Sequence, residues 1–293
     1  MAARPGLALA RAEGAEGEKA RAGIGYRPAL TSWIDTRPVE IQCLEIIAEQ
    51  FYMGGRARAR SLSSTYPLVV HTSRLSLGTP GTLNRQELEW LVALTREVDP
   101  LWVSDHVGFR RSAEVDLGHP TPIPFDRETL SVFTDHCREV MDRCGKLLLV
   151  ENIASPLTIS PVMSEPEFLN RLCEASGCGL LLDVTGLVVN SRTHGFDAHS
   201  WLALLEPGHI VQLHLGGVGS GDDLWLDTRG GDIDDEVWTL AADVLTRAPV
   251  RAVVLERDER FPPMRHLAAE LQRVSRLVHD CEVDRTGRGH TDP

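Results

Sequence analysis

No apolar stretch in this sequence approaches the ~20 residues that a membrane-spanning helix needs, and no apolar signal-peptide core follows its start. A membrane protein is not expected. Cysteine is sparse: the six residues, at 43, 137, 144, 173, 178 and 281, have no zinc-knuckle spacing, and Cys173 and Cys178 lie too far apart for a CxxC motif. Cys43 and Cys178 fall beside apolar runs, where a free cysteine is usually a small buried hydrophobe. A reducing, cytoplasmic compartment is expected. Basic residues are outnumbered, 30 Lys and Arg against 42 Asp and Glu. The formal charge of −12 argues against a broad nucleic-acid footprint. Repeats at solenoid periods are absent too.

What is present is ordinary globular material: 293 residues, 42% hydrophobic and 25% charged. A core of that size needs neither disulfides nor a structural metal. Residues 1–20, rich in Ala, Arg, Glu and Gly, read as a disordered extension, and residues 281–293 as a flexible tail. Residues 21–280 read as one domain.

Within that domain nearly every strand-like run ends on a side chain that can bind metal. CLEI carries Glu45, LVVH carries His71, and LWVSDH carries Asp105 and His106. LLLVEN carries Glu151 and Asn152, LLLDV Asp183, VQLHL His214, and AVVLERD Glu256 and Asp258. With GIGYR at residues 23–27, the count reaches about eight, the strand number of a (β/α)8 barrel. Several runs are continuously apolar, as when both faces are buried. Helix-length segments at 84–97, 126–143, 164–176, 234–246 and 263–278 alternate with them, three opening on a capping Asn84, Asp126 or Ser164. Long loops at 107–124, 152–164 and 216–235 follow strands, on the face where barrel enzymes keep their chemistry.

At that face His71, His106 and His214 would meet Glu151, Asp183 and Glu256. Buried carboxylates are costly unless paired or bound to cations. A His and carboxylate set without thiolate suits Fe, Mn, Zn or Mg, and six ligands exceed what one ion takes. Glu45 is expected to support a ligand, and Glu49 to be a solvated helix residue. A hydrogen-bonded His–carboxylate network without metal is the bland alternative.

These residues, with GIGYRP (23–28), VVHTSRLSLGT (69–79), VSDH (103–106), PTPIPFDRE (120–128), LLVENIASPLTI (148–159), EPEFL (165–169), GCGLLLDV (177–184), VNSRTHGFDA (189–198), QLHLGG (212–217) and LERDERFPP (255–263), resemble the multinuclear non-heme iron-dependent oxidative enzymes. Methanobactin and thiaglutamate biosynthesis contain members. The resemblance implies a single TIM barrel of xylose-isomerase-like type that uses dioxygen to modify a Cys, Asp or Asn side chain of a ribosomally made precursor peptide. It implies two irons, mixed-valent Fe(II)/Fe(III). His71, His106 and Glu151 would hold one, and Glu151 would bridge to a second on Asp183, His214 and Glu256. A partner protein that recognises the peptide leader is expected, and no nucleic acid or membrane.

Three departures stand out. Asp183-Val184-Thr185-Gly186 replaces the family's Asp-x-Asn-Asn, Asp227-Thr228-Arg229 replaces Asp-Thr-His, and Val218 closes a His-x-x-Gly-His pattern. Only Asp227 and His194 remain for a third iron, too few for a firm site. Arg229 is expected near that third position, gripping a substrate carboxylate or pairing with Asp227. Asn152, Asp105 and Asp258 are expected to orient ligands. Two other readings share the strand ends: a divalent-metal barrel of the sugar isomerase or endonuclease type, and a catalytically altered binding protein of the same fold.

Overall fold

The computed structural model describes residues 19–112, 115–159, 161–221, 224–227, 229–258 and 261–288, without the side chains of 220–227 and 284–288. Among the described residues twelve strands follow one another. They are β1 (Arg21–Gly25), β2 (Cys43–Ile47), β3 (Leu68–His71), β4 (Val103–His106), β5 (Phe109–Ser112), β6 (Val115–Thr121), β7 (Leu148–Glu151), β8 (Gly179–Asp183), β9 (Ile210–Leu215), β10 (Val218–Gly221), β11 (Leu224–Asp227) and β12 (Ala252–Leu255). Eight of them, β1, β2, β3, β4, β7, β8, β9 and β12, close into a parallel barrel, β1 pairing with both β2 and β12. This is the expected xylose-isomerase-like TIM barrel.

The two-residue period of a strand sorts the barrel side chains into two sets. Leu44, Val70, Val103, Leu148, Val150, Leu180, Leu182, Leu213, Val253 and Leu255 join the large cluster that packs under the helices. Their neighbours Cys43, Val69, Trp102, Leu149, Leu181, Val211, Ala252 and Val254 form a separate apolar cluster inside the barrel. The interior set continues, two residues beyond Cys43, Val69, Trp102, Leu149, Leu181 and Val254, as Glu45, His71, Ser104, Glu151, Asp183 and Glu256, while a register shift beside β9 brings Gln212 and His214 in after Val211. An apolar floor therefore lies beneath a polar mouth.

The outer helices begin as their caps dictate. Asn84 accepts from the N–H of Gln86 and Glu87 and opens Arg85–Val98. Asp126, Ser164 and Asp234 do the same for Arg127–Cys144, Glu165–Ser176 and Asp235–Arg247. The last helix runs from Met264 to Arg288, past residue 281 where a flexible tail was expected, with Cys281 buried on it. Residues 1–18 and 289–293 of the expected extension and tail lie outside the described residues.

Two long loops of the active face are hairpins, β5–β6 after β4 and β10–β11 after β9. The chain after β8 turns at once into the helix Val184–His194, whose first eight residues are all buried. No helix among the described residues is long and apolar enough to cross a membrane.

Candidate metal centre

His71, His106 and Glu151 close β3, β4 and β7, three consecutive strands of the barrel, so one ligand atom of each lies within 4.8 Å of the others. His71 Nε2 stands 3.6 Å and His106 Nε2 3.4 Å from Glu151 Oε2. That oxygen is buried and accepts no hydrogen bond. A bare, buried carboxylate oxygen is expensive, and a cation at the point the three atoms share removes the cost.

Both imidazoles have a polar neighbour behind Nδ1, and that of His71 is a hydrogen bond whereas that of His106 is an ion-pair contact. His71 Nδ1 lies 3.0 Å from Ser104 Oγ, and His106 Nδ1 lies 3.4 Å from Asp105 Oδ1. Asp105 is fixed in turn, accepting from the N–H groups of Leu75 and His106. Contacts of this kind orient the ring and select the tautomer that presents Nε2. Burial pushes His71 down to about 4, so its ring is neutral and able to ligate at pH 7. Burial also opposes charge on His106, but Glu151 and Asp105 outweigh it and raise that ring. Two imidazoles and a carboxylate without thiolate fit a borderline or hard divalent ion such as iron, manganese or zinc.

His214, inside β9, joins a second group with Glu45 and Glu256. Its Nδ1 lies 2.9 Å from Glu151 Oε1 and 3.0 Å from Glu256 Oε2, and its Nε2 lies 2.9 Å from Glu45 Oε2. Trp102 Nε1 donates to Gln212 Oε1 at 2.6 Å, and Gln212 Nε2 donates to Glu45 Oε2 at 2.6 Å. Burial disfavours charge on His214, yet Glu45 and Glu151 prevail and push it up to about 10. Burial likewise opposes charge on Glu45, while His214 holds it at about 2. Glu151 is driven well below the ordinary carboxylate range, burial being overcome by His214 and His106. In the metal-free chain His214 is thus an imidazolium clasped by carboxylates.

The expected second metal position is occupied differently from the sequence reading. Asp183 Oδ1 accepts from Gly186 N–H, capping the helix Val184–His194, and Oδ2 pairs with Arg229 Nη2 at 2.9 Å. Arg229 Nη1 contacts Glu256 Oε2, and Nη2 lies 3.9 Å from Glu151 Oε1. Arg229 therefore sits among Asp183, Glu256 and Glu151, the carboxylates expected around a second ion. Its expected partner Asp227 has a side chain outside the described residues.

The remaining expectations divide. Asn152 exchanges two hydrogen bonds with the Asp183 backbone, locking the ends of β7 and β8 together. Asp258 accepts from Arg27 Nε and Nη2 at 2.8 and 2.6 Å, and Arg27 Nη2 lies 3.6 Å from Glu256 Oε1. His194 does not reach the centre: it ends its helix, exposed, with Nε2 2.8 Å from Ser155 O. Glu49 is not a freely solvated helix residue, since its Oε1 accepts from Thr72 Oγ1 and Ser73 N–H just beyond His71. Gln212 was missed, and a polar residue two before His214 in an apolar strand was its only signal. Beside the His71 edge a cleft of ≈ 340 Å³ is lined by Glu49, Tyr52, Arg74, Glu87, Trp90 and Arg111 among others.

Residues 21–279 match the family model described as RiPP precursor modification enzyme MbnB/TglH/ChrH. The chain belongs to this family. Its relatives include a UPF0276 protein of Rhizorhabdus wittichii, 34% identical over 90% of this chain and 96% of that protein. Another, from Chromobacterium violaceum, is 34% identical over 87% of this chain and 94% of that protein. Among solved structures, an L-ribulose 3-epimerase superposes with a TM-score of 0.62 at 14% identity, covering 94% of this chain and 100% of that one. Endonuclease IV from Thermus thermophilus gives 0.55 at 16% identity, covering 88% and 98%. At such identities the likeness establishes the barrel alone. Membership in a family of precursor-modifying enzymes makes a ribosomally made peptide the substrate class.

Proposed function

We propose that this chain is an iron-dependent oxidase that uses dioxygen to modify a Cys, Asp or Asn side chain of a precursor peptide in the cytoplasm. One observation carries the reading: in a member of this family, Glu151 Oε2 is bare and buried, facing the Nε2 atoms of His71 and His106. Those three residues hold the iron, which when bound supplies the one-electron chemistry that dioxygen requires.

The other steps belong to the chain. Ser104 and Asp105 keep the two imidazoles turned toward the ion. Glu151 would help hold the iron, and its Oε1 side faces His214 and Arg229, with Asp183 and Glu256 alongside. Arg27, oriented by Asp258, steadies Glu256. In this reading the peptide lies along the cleft lined by Arg74, Trp90 and Arg111, whose wall residue Glu49 accepts from Thr72 and Ser73 just beyond His71. Delivery by a leader-binding partner protein is part of the same proposal.

The test is co-production of the chain in iron-replete cells with each short Cys-, Asp- or Asn-containing reading frame found next to its gene, followed by mass measurement of the peptide. A changed mass with the parent, lost in His106→Ala, supports the reading. An unchanged peptide with iron-loaded parent refutes it.

A further inference from the structure

We propose that Arg229 is the resident cation of the second position, so that this chain holds one tightly bound metal ion where the ligand set would otherwise hold a pair. The inference rests on the metal reading above and goes beyond it.

Four features of the molecule build this arrangement. The guanidinium reaches Asp183 Oδ2 at 2.9 Å, contacts Glu256 Oε2, and lies 3.9 Å from Glu151 Oε1. These are the atoms that, with His214 Nδ1, would surround a second ion. His214 Nδ1 is itself turned onto Glu151 Oε1 and Glu256 Oε2 at 2.9 and 3.0 Å. The backbone is bent to deliver the side chain: Arg229 has φ 48, a left-handed conformation uncommon for a residue with a Cβ, and its N–H donates to Gly217 O. Gly216 clears the way for the stem, since a Cβ there would stand 3.3 Å from Arg229 Cγ.

The chemistry then excludes the alternative of sharing. Arginine stays protonated at any pH the fold survives, and its planar fork suits two carboxylates at once. A divalent ion drawing on Asp183, Glu256 and Glu151 would need the same oxygens and would stand against a fixed positive charge. A cationic side chain at this place must be moved bodily before an ion can enter. The first position keeps its own three donors, His71 Nε2, His106 Nε2 and Glu151 Oε2, while Arg229 approaches Glu151 from the Oε1 side and acts on His106 through its charge alone. Glu151 thus spans one metal ion and one organic cation.

Fe(II) is added anaerobically to the full chain, to Arg229→Met and to Arg229→Lys, and bound iron is counted after desalting. Each sample is then oxidised and its EPR spectrum recorded. The inference expects about one ion in the parent and in Arg229→Lys, with an isolated high-spin ferric signal. Arg229→Met, which keeps the stem and loses the charge, takes up a second ion at least about 100-fold more tightly than the parent, and its signal is quenched by spin coupling. Two firmly bound, coupled ions in the parent overturn the inference and leave the metal reading standing. A folded parent that binds none refutes both. Circular dichroism of each variant confirms folding; if Arg229→Met is unfolded, the parent count and the Arg229→Lys signal decide.

Discussion

Replacing Glu45 by Gln removes one negative charge from the floor of the centre while keeping shape and an acceptor oxygen. Glu45 Oε2 lies 2.9 Å from His214 Nε2, and both side chains are buried. At an effective dielectric of about 20, two unit charges at that distance attract by about 6 kcal/mol, or about 4 pH units. Glu151 stays 2.9 Å from Nδ1 and continues to support the imidazolium, so part of the shift survives. The His214 pKa, pushed up to about 10 in the parent, is expected to fall by about 2–4 units in metal-free Glu45→Gln. Nitrogen-detected NMR of the imidazole between pH 5 and 11 reads it directly. The same change has a stability signature. A folded pKa above the unfolded 6.5 contributes stability that is complete below 6.5 and is lost as pH rises through 10. In the variant that loss moves to lower pH. An unaltered His214 titration in Glu45→Gln would show that this carboxylate is not what holds the charge.

Three further outcomes are expected. Ser104→Ala removes the group 3.0 Å behind His71 Nδ1, so Fe(II) affinity drops by about 10–100-fold while the melting temperature hardly moves; equal affinity by anaerobic titration would contradict the orienting role. Trp102→Phe leaves Gln212 Oε1 without its buried donor and costs about 1–3 kcal/mol in urea unfolding, whereas a loss within experimental error would mean that the Trp102–Gln212–Glu45 chain is idle. Glu165 is half-buried, and burial raises it to about 7, with Trp201 opposing. Its stabilising share is present below the unfolded 4.5 and is lost as pH rises through 7. Glu165→Gln should therefore melt increasingly above the parent from pH 5 to 8; parallel melting curves would disprove this.

The strand ends were readable because two-residue alternation makes every second residue of an apolar run an interior residue, and a charged one there needs a reason. His71, His106, Glu151, Asp183, His214 and Glu256 were singled out as residues at the ends of such runs, and three helix starts through Asn84, Asp126 and Ser164. Arg229 could be named but not placed. It reaches Asp183 across 46 residues, from a hairpin end whose left-handed backbone has no sequence signature when the residue is not glycine. Asp183 looked like a ligand, yet a carboxylate at a strand end that also caps the next helix reads identically in sequence. The helix Val184–His194 escaped because its first two turns are buried all round, leaving no amphipathic period to detect. His194 was drawn toward the centre by its residue type alone, and its position at the far end of that helix turns it to solvent.

The account stands or falls on an ion between three particular atoms. Crystals grown anaerobically with Fe(II) and measured on both sides of the iron absorption edge give the answer in one anomalous difference map. A single strong peak bounded by His71 Nε2, His106 Nε2 and Glu151 Oε2 is the expected result. A map featureless at that point, with the three side chains closed onto one another, would contradict it.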